Sequence, residues 1–436
     1  MALTRALTTE GESAAGGRYR WYVLSLLTLT SLFSVADRLV FGILVEDIKA
    51  EFALTDFELG LLGGLAFSAV YVFAGFPAAR LADRSTRKNI VAAAISFWSL
   101  MTAACGLATG FWTLFLARTG VGVGEGCSGP SSQSLIADFF ARHELAKAMG
   151  FLTLGSTLGT AVGLLVGGQL AEIFNWRWAF ILMGLPGLLI GAVIYLTVRE
   201  PKRGRFAPPG SSIAQRPLGE TVKSLVTNRV FMGLAIGWAV QIMIGYALAF
   251  WMAAVMLRQF DISTGNVGLY LGLAFVLGGI PGPLLGGYVT QVMTNRDERW
   301  RALVPGLATL GCVAPLAASL GSDGFWPFLA WFALAYAIYV ASQAGIMSGI
   351  QAAVEPSERG FAVAIALFFN NLVGQALGLA VVGAVSDWLA PVYGEGALSA
   401  AVFAVCLVSG ALAMGVFVWT ALQMRPSGYL ARMGRA

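Results

Sequence analysis

Long runs of apolar residues recur from one end of the chain to the other, separated by short polar segments. Each run has about 20 residues or more, the length of helix that crosses the hydrocarbon part of a bilayer. A soluble core could not bury so many continuous apolar segments. We therefore predict membrane-spanning helices at twelve runs, near 21–45, 57–81, 89–108, 111–137, 145–169, 177–198, 230–257, 264–290, 302–320, 326–350, 360–386 and 397–423.

One long polar segment interrupts this pattern between the sixth and seventh runs. It is rich in Pro, Gly, Ser and basic residues, as linkers are. The predicted fold is therefore an all-α membrane protein with twelve transmembrane helices in two six-helix bundles. The predicted divisions are an N-terminal tail 1–20, a first bundle 21–198, the linker 199–229, a second bundle 230–423 and a C-terminal tail 424–436.

The charged residues indicate how the chain lies in the membrane. Of all residues, 57% are hydrophobic and only 12% are charged. Most Lys and Arg residues fall on one side of the predicted membrane, whereas the other, which we call the predicted outer side, has Lys49, Arg177 and Arg258. The positive-inside rule predicts that both termini are cytoplasmic, in a multi-pass protein of the cell inner membrane that contacts membrane lipids. The net charge of +5 is then a topology signal, and no nucleic-acid partner is expected.

Residue types used in catalysis and metal binding are scarce. The chain has one His, His143, and its four cysteines, Cys105, Cys127, Cys312 and Cys406, lie in apolar runs at no regular spacing. We therefore expect no enzyme activity, no metal site and no cofactor. An intramembrane enzyme acting on lipids is the competing class, and no Ser/Lys pair at membrane depth supports it.

Four charged residues lie well inside predicted helices, namely Asp37, Arg38, Arg118 and Glu125. Each would cost about 2.5–3.5 kcal/mol at a bilayer centre, and such charges mark proton relays or ligand sites. Asp37 and Arg118 are expected at similar depth, about 10–12 Å from the predicted outer ends of their helices, with Glu125 two turns deeper. We predict that Asp37 and Glu125 are proton-coupling groups and that Arg38 and Arg118 bind the substrate. The alternative is a structural clamp between two helices.

Glycine recurs at short spacing in two predicted helices. The fourth helix has "RTGVGVGEG", and the fifth has Gly155, Gly159, Gly163 and Gly167. A dinucleotide-binding loop would need a preceding strand, so close packing between helices is the preferred interpretation. The prolines of "GGIPGPLLGG", 278–287, predict a kink in the eighth helix.

The segment "ARLADRSTRK" lies between the second and third predicted helices. It resembles the cytoplasmic loop signature of the major facilitator superfamily, with Asp83, Arg84 and Arg87 matching and an alanine in place of the first glycine. Segment 286–300 is a degraded copy, which supports two related halves. We predict that Asp83, Arg84 and Arg87 have a gating role. A loop that only sets topology would explain the arginines but not Asp83.

Within that superfamily, the chain resembles the Spinster group of lysolipid and sphingoid-phosphate transporters. The resemblance rests on the Asp37–Arg38 pair, on "FLARTGVGVGEG" and "GPSSQSLIADFF" in the fourth helix, and on "NWRWAFILMGLPGLL" at the sixth. It implies an alternating-access carrier of an amphiphilic, anionic lipid-like substrate. In the predicted cycle, protonation of Glu125 or Asp37 weakens its hold on Arg118, and the freed guanidinium binds the anionic head.

Residues of the second half are predicted to complete the substrate site. An anionic amphiphile requires apolar and aromatic side chains beside the buried cations. We predict substrate contacts from Tyr246, Trp251, Phe369 and Asn370, although aromatic residues also pack or face lipid in membrane helices. The alternative function is multidrug or organic-anion efflux by the same fold. A channel or receptor would not need two related six-helix halves with a proton-coupling carboxylate. We expect a monomer coupled to protons.

Overall fold

All regular secondary structure in the described part of the chain is helical. The structure, a computed structural model, describes the backbone of residues 2–203, 205–206, 218–355 and 358–424. Side chains are described for these residues except 2–16, 76, 79, 83, 142, 146 and 218. Parts of the predicted linker (204 and 207–217) and of the predicted C-terminal tail (425–436) lie outside the described residues.

The first half of the described chain forms the first six predicted spans. Its helices are α1 (Ala2–Ile43), α2 (Val45–Phe52), α3 (Asp56–Gly63), α4 (Leu65–Arg84), α5 (Arg87–Cys105), α6 (Phe111–Phe139), α7 (Arg142–Ile173) and α8 (Trp176–Thr197). Helix α1 is the first span, α3 and α4 together are the second, and α5 to α8 are the third to sixth. Helix α2 is a short connection between the first two spans.

The second half begins with the short helix α9 (Leu218–Thr227) and forms the other six spans. Its remaining helices are α10 (Arg229–Tyr246), α11 (Met252–Gln259), α12 (Thr264–Gly279), α13 (Pro281–Thr294), α14 (Trp300–Gly311), α15 (Val313–Leu320), α16 (Phe325–Ala353), α17 (Arg359–Phe369), α18 (Gly378–Tyr393) and α19 (Ala397–Gln423). Two π-helical segments, π1 (Ala247–Trp251) and π2 (Asn370–Leu377), join α10 to α11 and α17 to α18. The eighth span is interrupted at Ile280, beside the prolines that predict a kink there.

Ten helical stretches among the described residues are long and apolar enough to cross a membrane. The last of them, Arg359–Gln423, contains two spans, the eleventh (α17, π2 and α18) and the twelfth (α19). Helix α6 is also long enough, but its charged, glycine and serine residues make it less apolar. Together these stretches account for the twelve predicted spans.

The chain divides into two compact units. Unit 1 consists of Met1–Val40, Val70–Gly163 and Phe174–Ser211, and unit 2 consists of Phe41–Ala69, Leu164–Ile173 and Ser212–Ala436. Unit 2 therefore includes two segments from the first half of the sequence. The exact domain boundaries given above stay a prediction.

Asparagine side chains cap the N-terminal ends of two spans. Asn175 accepts hydrogen bonds from the backbone N–H groups of Arg177 (3.0 Å) and Trp178 (3.1 Å) at the start of α8. Asn228 does the same at the start of α10. The first N–H groups of a helix have no partner within the helix, so such caps fix where these spans begin.

The predicted glycine ridge of α7 packs against α1 within unit 1. A Cβ atom added at Gly155, Gly159 or Gly163 would lie against the backbone of α1. A larger residue at any of these positions would push the two helices apart. The prediction of a smooth surface for a neighbouring helix is confirmed at these three glycines. This close contact fixes the part of α1 that carries Asp37 and Arg38.

Candidate functional site

The four charged residues predicted at membrane depth all lie in unit 1. Asp37 and Arg38 are neighbours on α1, and Arg118 and Glu125 are two turns apart on α6. Asp37, Arg118 and Glu125 are at most 2% exposed. They interact electrostatically with one another and with Arg38. The structure thus brings the four residues into one cluster with two acidic and two basic members.

Glu125 is held directly by residues of α1. Both Nε and Nη2 of Arg38 donate to Oε2 of Glu125, at 2.8 and 2.5 Å. The hydroxyl of Ser34 donates to the same oxygen at 2.6 Å. The other oxygen, Oε1, is buried and accepts no hydrogen bond from the described residues. The three hydrogen bonds therefore converge on one oxygen, and the other oxygen is the one that a proton would occupy.

Arg38 differs from its partner in exposure. Its side chain is 20% exposed, whereas that of Glu125 is fully buried. Its guanidinium also lies over the ring of Tyr71, 5.0 Å from the ring centroid. Cation–π contacts of this kind are worth about 0.5–2 kcal/mol, depending on solvation. Arg38 is therefore the residue of this ion pair that reaches toward accessible space.

Asp37 has a different set of contacts. Thr102 of α5 donates to Oδ2 of Asp37 at 3.1 Å, within the buried interior of unit 1. Asp37 also interacts electrostatically with Arg118, Arg38 and Glu125. Thr102 is not among the site residues predicted from the sequence, although a hydroxyl in an apolar span is a signal of this type.

Glycines of α6 bring the helix close to its neighbours. A Cβ at Gly124 would meet Trp98 of α5, and a Cβ at Gly126 would meet the backbone carbonyl of Tyr71 on α4. These two glycines flank Glu125 on both sides. Close helix approach therefore explains the glycine run of the fourth span, and it places Glu125 among α1, α4 and α5.

The predicted gating residues flank the short loop between α4 and α5. Asp83 and Arg84 are the last two residues of α4, and Arg87 is the first residue of α5. The side chain of Asp83 lies outside the described residues, and Arg84 is exposed. Arg87 is 3% exposed and forms ion pairs with Asp138 (2.6 Å) and Glu200 (2.7 Å). Arg87 therefore ties the start of α5 to the end of α6 and to the segment that follows α8. Asp138, near the end of α6, and Glu200, after the end of α8, are not among the site residues predicted from the sequence.

The predicted substrate contacts of the second half border the two π-helical segments. Tyr246 precedes π1 and Trp251 ends it, while Phe369 precedes π2 and Asn370 begins it. Trp251 and Asn370 are buried, and Tyr246 and Phe369 are half-buried. Single π-helical turns are rare and frequently occur at functional sites, because they shift the direction of the side chains that follow.

A neutral hydrogen-bond network joins α10 to α16 in unit 2. Trp238 donates to Gln343 at 3.1 Å, and Gln241 donates to Ser342 at 2.9 Å. Gln343 in turn donates to Gln241 and to the hydroxyl of Tyr339, both at 3.4 Å. Tyr339, Ser342 and Gln343 of α16 are not among the site residues predicted from the sequence. The polar pair in "VASQAG" is a signal for Ser342 and Gln343.

Comparison with known proteins adds the family. The model of the Major Facilitator Superfamily matches residues 26–379. The chain belongs to the major facilitator superfamily. It is therefore a multi-pass membrane transporter and not an enzyme, and the predicted twelve-helix fold is confirmed.

Several relatives narrow the position within this family. An MFS-type efflux pump of Mycolicibacterium smegmatis is 29% identical over 91% of each chain. The sphingosine-1-phosphate transporter SPNS2 of Danio rerio is 25% identical over 84% of this chain and 76% of its own. A crystal structure of a bacterial homolog of the human lysosomal transporter Spinster, inward-facing and unoccupied, matches with a TM-score of 0.81 and 26% identity, covering 93% and 96% of the two chains. The resemblance to the Spinster group is confirmed.

Proposed function

We propose that this transporter moves an amphiphilic, anionic lipid-like substrate by alternating access, coupled to protons. The substrate class is a lysophospholipid or a sphingoid phosphate. Support for this class comes from the similarity to a sphingosine-1-phosphate transporter and from two guanidinium groups within predicted spans, that of Arg118 buried and that of Arg38 partly exposed. We further propose that it acts as a monomer in the cell inner membrane with both termini in the cytoplasm, consistent with the distribution of Lys and Arg.

The observation that carries the proposal is the ion pair between Arg38 and Glu125. A buried carboxylate that keeps a guanidinium occupied prevents that guanidinium from binding an anion. Protonation of Glu125 at Oε1 would remove the charge while leaving the hydrogen bonds at Oε2 weaker. An anionic head group would then replace the carboxylate as the partner of Arg38.

The proposed cycle follows from this exchange. A proton on Glu125 releases Arg38, which binds a phosphate or carboxylate through two parallel hydrogen bonds. Arg118 and Asp37 keep the surrounding charge balanced, since both interact with this pair. The cycle predicted from the sequence instead releases the guanidinium of Arg118. The direct contact of Glu125 with Arg38 is the reason for assigning that step to Arg38.

We also propose that the aromatic and amide residues predicted from the sequence contact the hydrocarbon part of the substrate. Tyr246, Trp251, Phe369 and Asn370 border π1 and π2, where the helices depart from regular geometry. They supply aromatic surface and the neutral polar groups of Tyr246, Trp251 and Asn370, which suits a hydrocarbon chain near a head group. The charged residues that we assign to the cycle lie in unit 1.

Efflux of drugs or organic anions is the second candidate. The similarity to an MFS-type efflux pump favours it, because that relative matches over nearly the full length of both chains. A buried anion-binding arginine would serve an organic anion as well as a phosphate. The two candidates differ in the hydrocarbon chain and in the direction of transport.

Purified protein in liposomes distinguishes these candidates. Uptake of a labelled lysophospholipid, a sphingoid phosphate and several drugs is measured with and without an imposed pH gradient. We expect movement of one of the lipid substrates that increases with the gradient. Movement of drugs alone would support the second candidate. Transport at the same rate with and without the pH gradient would contradict the proposed proton coupling.

A further inference from the structure

A buried carboxylate at the start of α3 connects segments from the two halves of the chain within unit 2. Asp56 is 2% exposed and accepts a hydrogen bond from Lys49 at 2.6 Å. It also accepts two hydrogen bonds from Arg258 of α11, at 2.7 and 2.9 Å, and one from Ser386 of α18, at 2.6 Å. Arg258 additionally donates to Glu46 of α2. The charges are paired, and the pairing joins the end of the seventh span to the loop before the second.

A second carboxylate holds the same helix start from the eleventh span. The two oxygens of Asp387 accept the backbone N–H groups of Asp56, at 3.0 Å, and of Phe57, at 2.8 Å. These N–H groups have no acceptor within α3, and the start of a helix carries partial positive charge. A cap for this helix is therefore supplied by a residue more than 300 positions away in the sequence.

The fifth and eighth spans repeat this arrangement. Glu172, at the end of α7, accepts the backbone N–H of Gly265 at 2.8 Å, in the first turn of α12. Again an acidic residue at the end of one span caps the start of a span from the other half of the sequence. The two pairs are the second span with the eleventh and the eighth span with the fifth. All four helix ends belong to unit 2 and lie at the predicted outer side.

Glycines make each of these caps possible. A Cβ at Gly60 of α3 would meet the backbone of Leu379 on α18. A Cβ at Gly268 of α12 would meet the carbonyl oxygen of Leu164 on α7. Backbones that approach this closely bring the carboxylates within reach of the helix starts. The contacts are therefore built into the packing of both pairs.

We propose that Asp387 and Glu172 are positioning residues that hold the predicted outer side closed. Alternating access, on which this inference rests, requires the outer ends of the two halves to separate in one part of the cycle. Both caps and the Asp56 cluster must then break, because each joins a first-half segment to a second-half segment. Their strength sets how often the outer side opens.

The chain offers a matched control for each cap. Glu58 and Thr55 form a capping box at the same start of α3. These two residues are only three positions apart, so their hydrogen bonds do not link the two halves of the sequence. Ser263 caps α12 locally through the backbone N–H of Asn266. Removing these local caps weakens a helix start without breaking a link between the two halves. Glu58→Gln is therefore the control for Asp387→Asn, and Ser263→Ala is the control for Glu172→Gln.

Opening is measured by the labelling of a buried cysteine. Ile48 of α2 is fully buried in unit 2, and Ile48→Cys is made after the four native cysteines are replaced by alanine. The protein is held in nanodiscs without substrate and without a pH gradient, and the rate of maleimide labelling is recorded. Thermal unfolding of each variant confirms that it is folded. Lipid uptake does not enter this readout, so the substrate proposal and the closure proposal fail independently.

We expect Asp387→Asn and Glu172→Gln each to increase the labelling rate on the order of fivefold, because the amide keeps an acceptor oxygen and loses only the charge-assisted part of the hydrogen bond, which shifts a two-state population by about this factor. The two control variants should label at the parent rate. Equal rates in all variants would overturn the proposal, as would an equal increase in the controls. If Asp387→Asn does not fold, Glu172→Gln tests the same role at a separate pair of helices.

Discussion

Two polar clusters, one within each compact unit, differ in their charge. The cluster of unit 1 contains two acids and two arginines, with Glu125 and Arg38 in direct contact. In unit 2 a network of amides and hydroxyls around Gln241 and Gln343 joins two spans without a formal charge. The neutral network pairs its buried amides, whereas Glu125 keeps one buried oxygen without a hydrogen bond from the described residues, and only the charged cluster can change its net charge when one proton binds.

This difference separates two tasks that a coupled transporter must perform. A buried ion pair is costly to break on one side only, because the remaining charge is left without compensation. Such a pair therefore responds strongly to protonation or to an anionic ligand. A neutral network responds to neither, and it fixes the geometry of the spans that carry it. We expect coupling to depend on unit 1 and the shape of the substrate site to depend on unit 2.

The largest expected effect is that of Glu125→Gln in unit 1. The amide resembles a permanently protonated acid, so uptake should no longer depend on an imposed pH gradient, while folding is retained. Uptake into proteoliposomes across a series of pH steps measures this. Glu144→Gln is the control, since Glu144 also pairs with an arginine, Arg20 at 2.6 Å, but is half-exposed. Gradient dependence that persists in Glu125→Gln would transfer the coupling role to Asp37 or eliminate it.

Arg38→Lys tests whether a charge alone suffices in the same cluster. Two nitrogens of Arg38 contact Glu125, and the guanidinium lies over the ring of Tyr71. An ammonium is a point charge without the planar pair of donors, so transport should fall about tenfold although the charge is kept. Arg118→Lys should also impair transport, because Arg118 is 2% exposed and its guanidinium is enclosed.

The control for these lysine variants is Arg20→Lys, which changes an arginine of unit 1 outside the buried cluster. It should transport at the parent rate. Parent-rate transport by Arg38→Lys would mean that paired hydrogen bonding is not the function of that position.

Gln241→Leu tests the neutral network of unit 2. The change removes the hydrogen bonds of Gln241 to Ser342 and Gln343, which keep their contacts with Tyr339, at a cost of about 0.5–1.5 kcal/mol in stability for each bond. The melting temperature should fall and KM should rise several-fold, but the pH-gradient dependence should remain. Thr309→Val is the control, because Thr309 bonds only within its own helix. A loss of gradient dependence in Gln241→Leu would contradict the division of tasks between the units.

The smallest expected effect is at the predicted cytoplasmic loops. Asp83→Asn should slow turnover about two- to fivefold without changing KM, because a contact made in one state alone shifts only the balance between states. Gln291→Ala, at the corresponding position of the second half, should have no effect, since Gln291 is exposed and uncharged. Turnover and KM from initial uptake rates decide this. Equal behaviour of both variants would leave Asp83 with a topological role only.

The sequence predicted the twelve spans and the four charged residues within them because both follow from the cost of polar groups in hydrocarbon. That cost acts locally on each segment, so it is visible without the fold. The glycine ridge of α7 was also predictable, since Gly155, Gly159 and Gly163 repeat at the spacing of one helix face. The neighbour of that ridge was not, because many helices can accept a smooth surface.

Partners across the fold depended on the tertiary structure. The sequence places Arg118 and Glu125 on one face of a helix, yet the residue that contacts Glu125 is Arg38 of another helix. Asp387 and Glu172 look like ordinary helix-end acids until the fold brings each to the start of a distant span. Hydropathy and charge determine which segments cross the membrane and which charges must be compensated there. Which side chain compensates which charge depends on the rotation and depth of packed helices, and these are set only when all their surfaces meet.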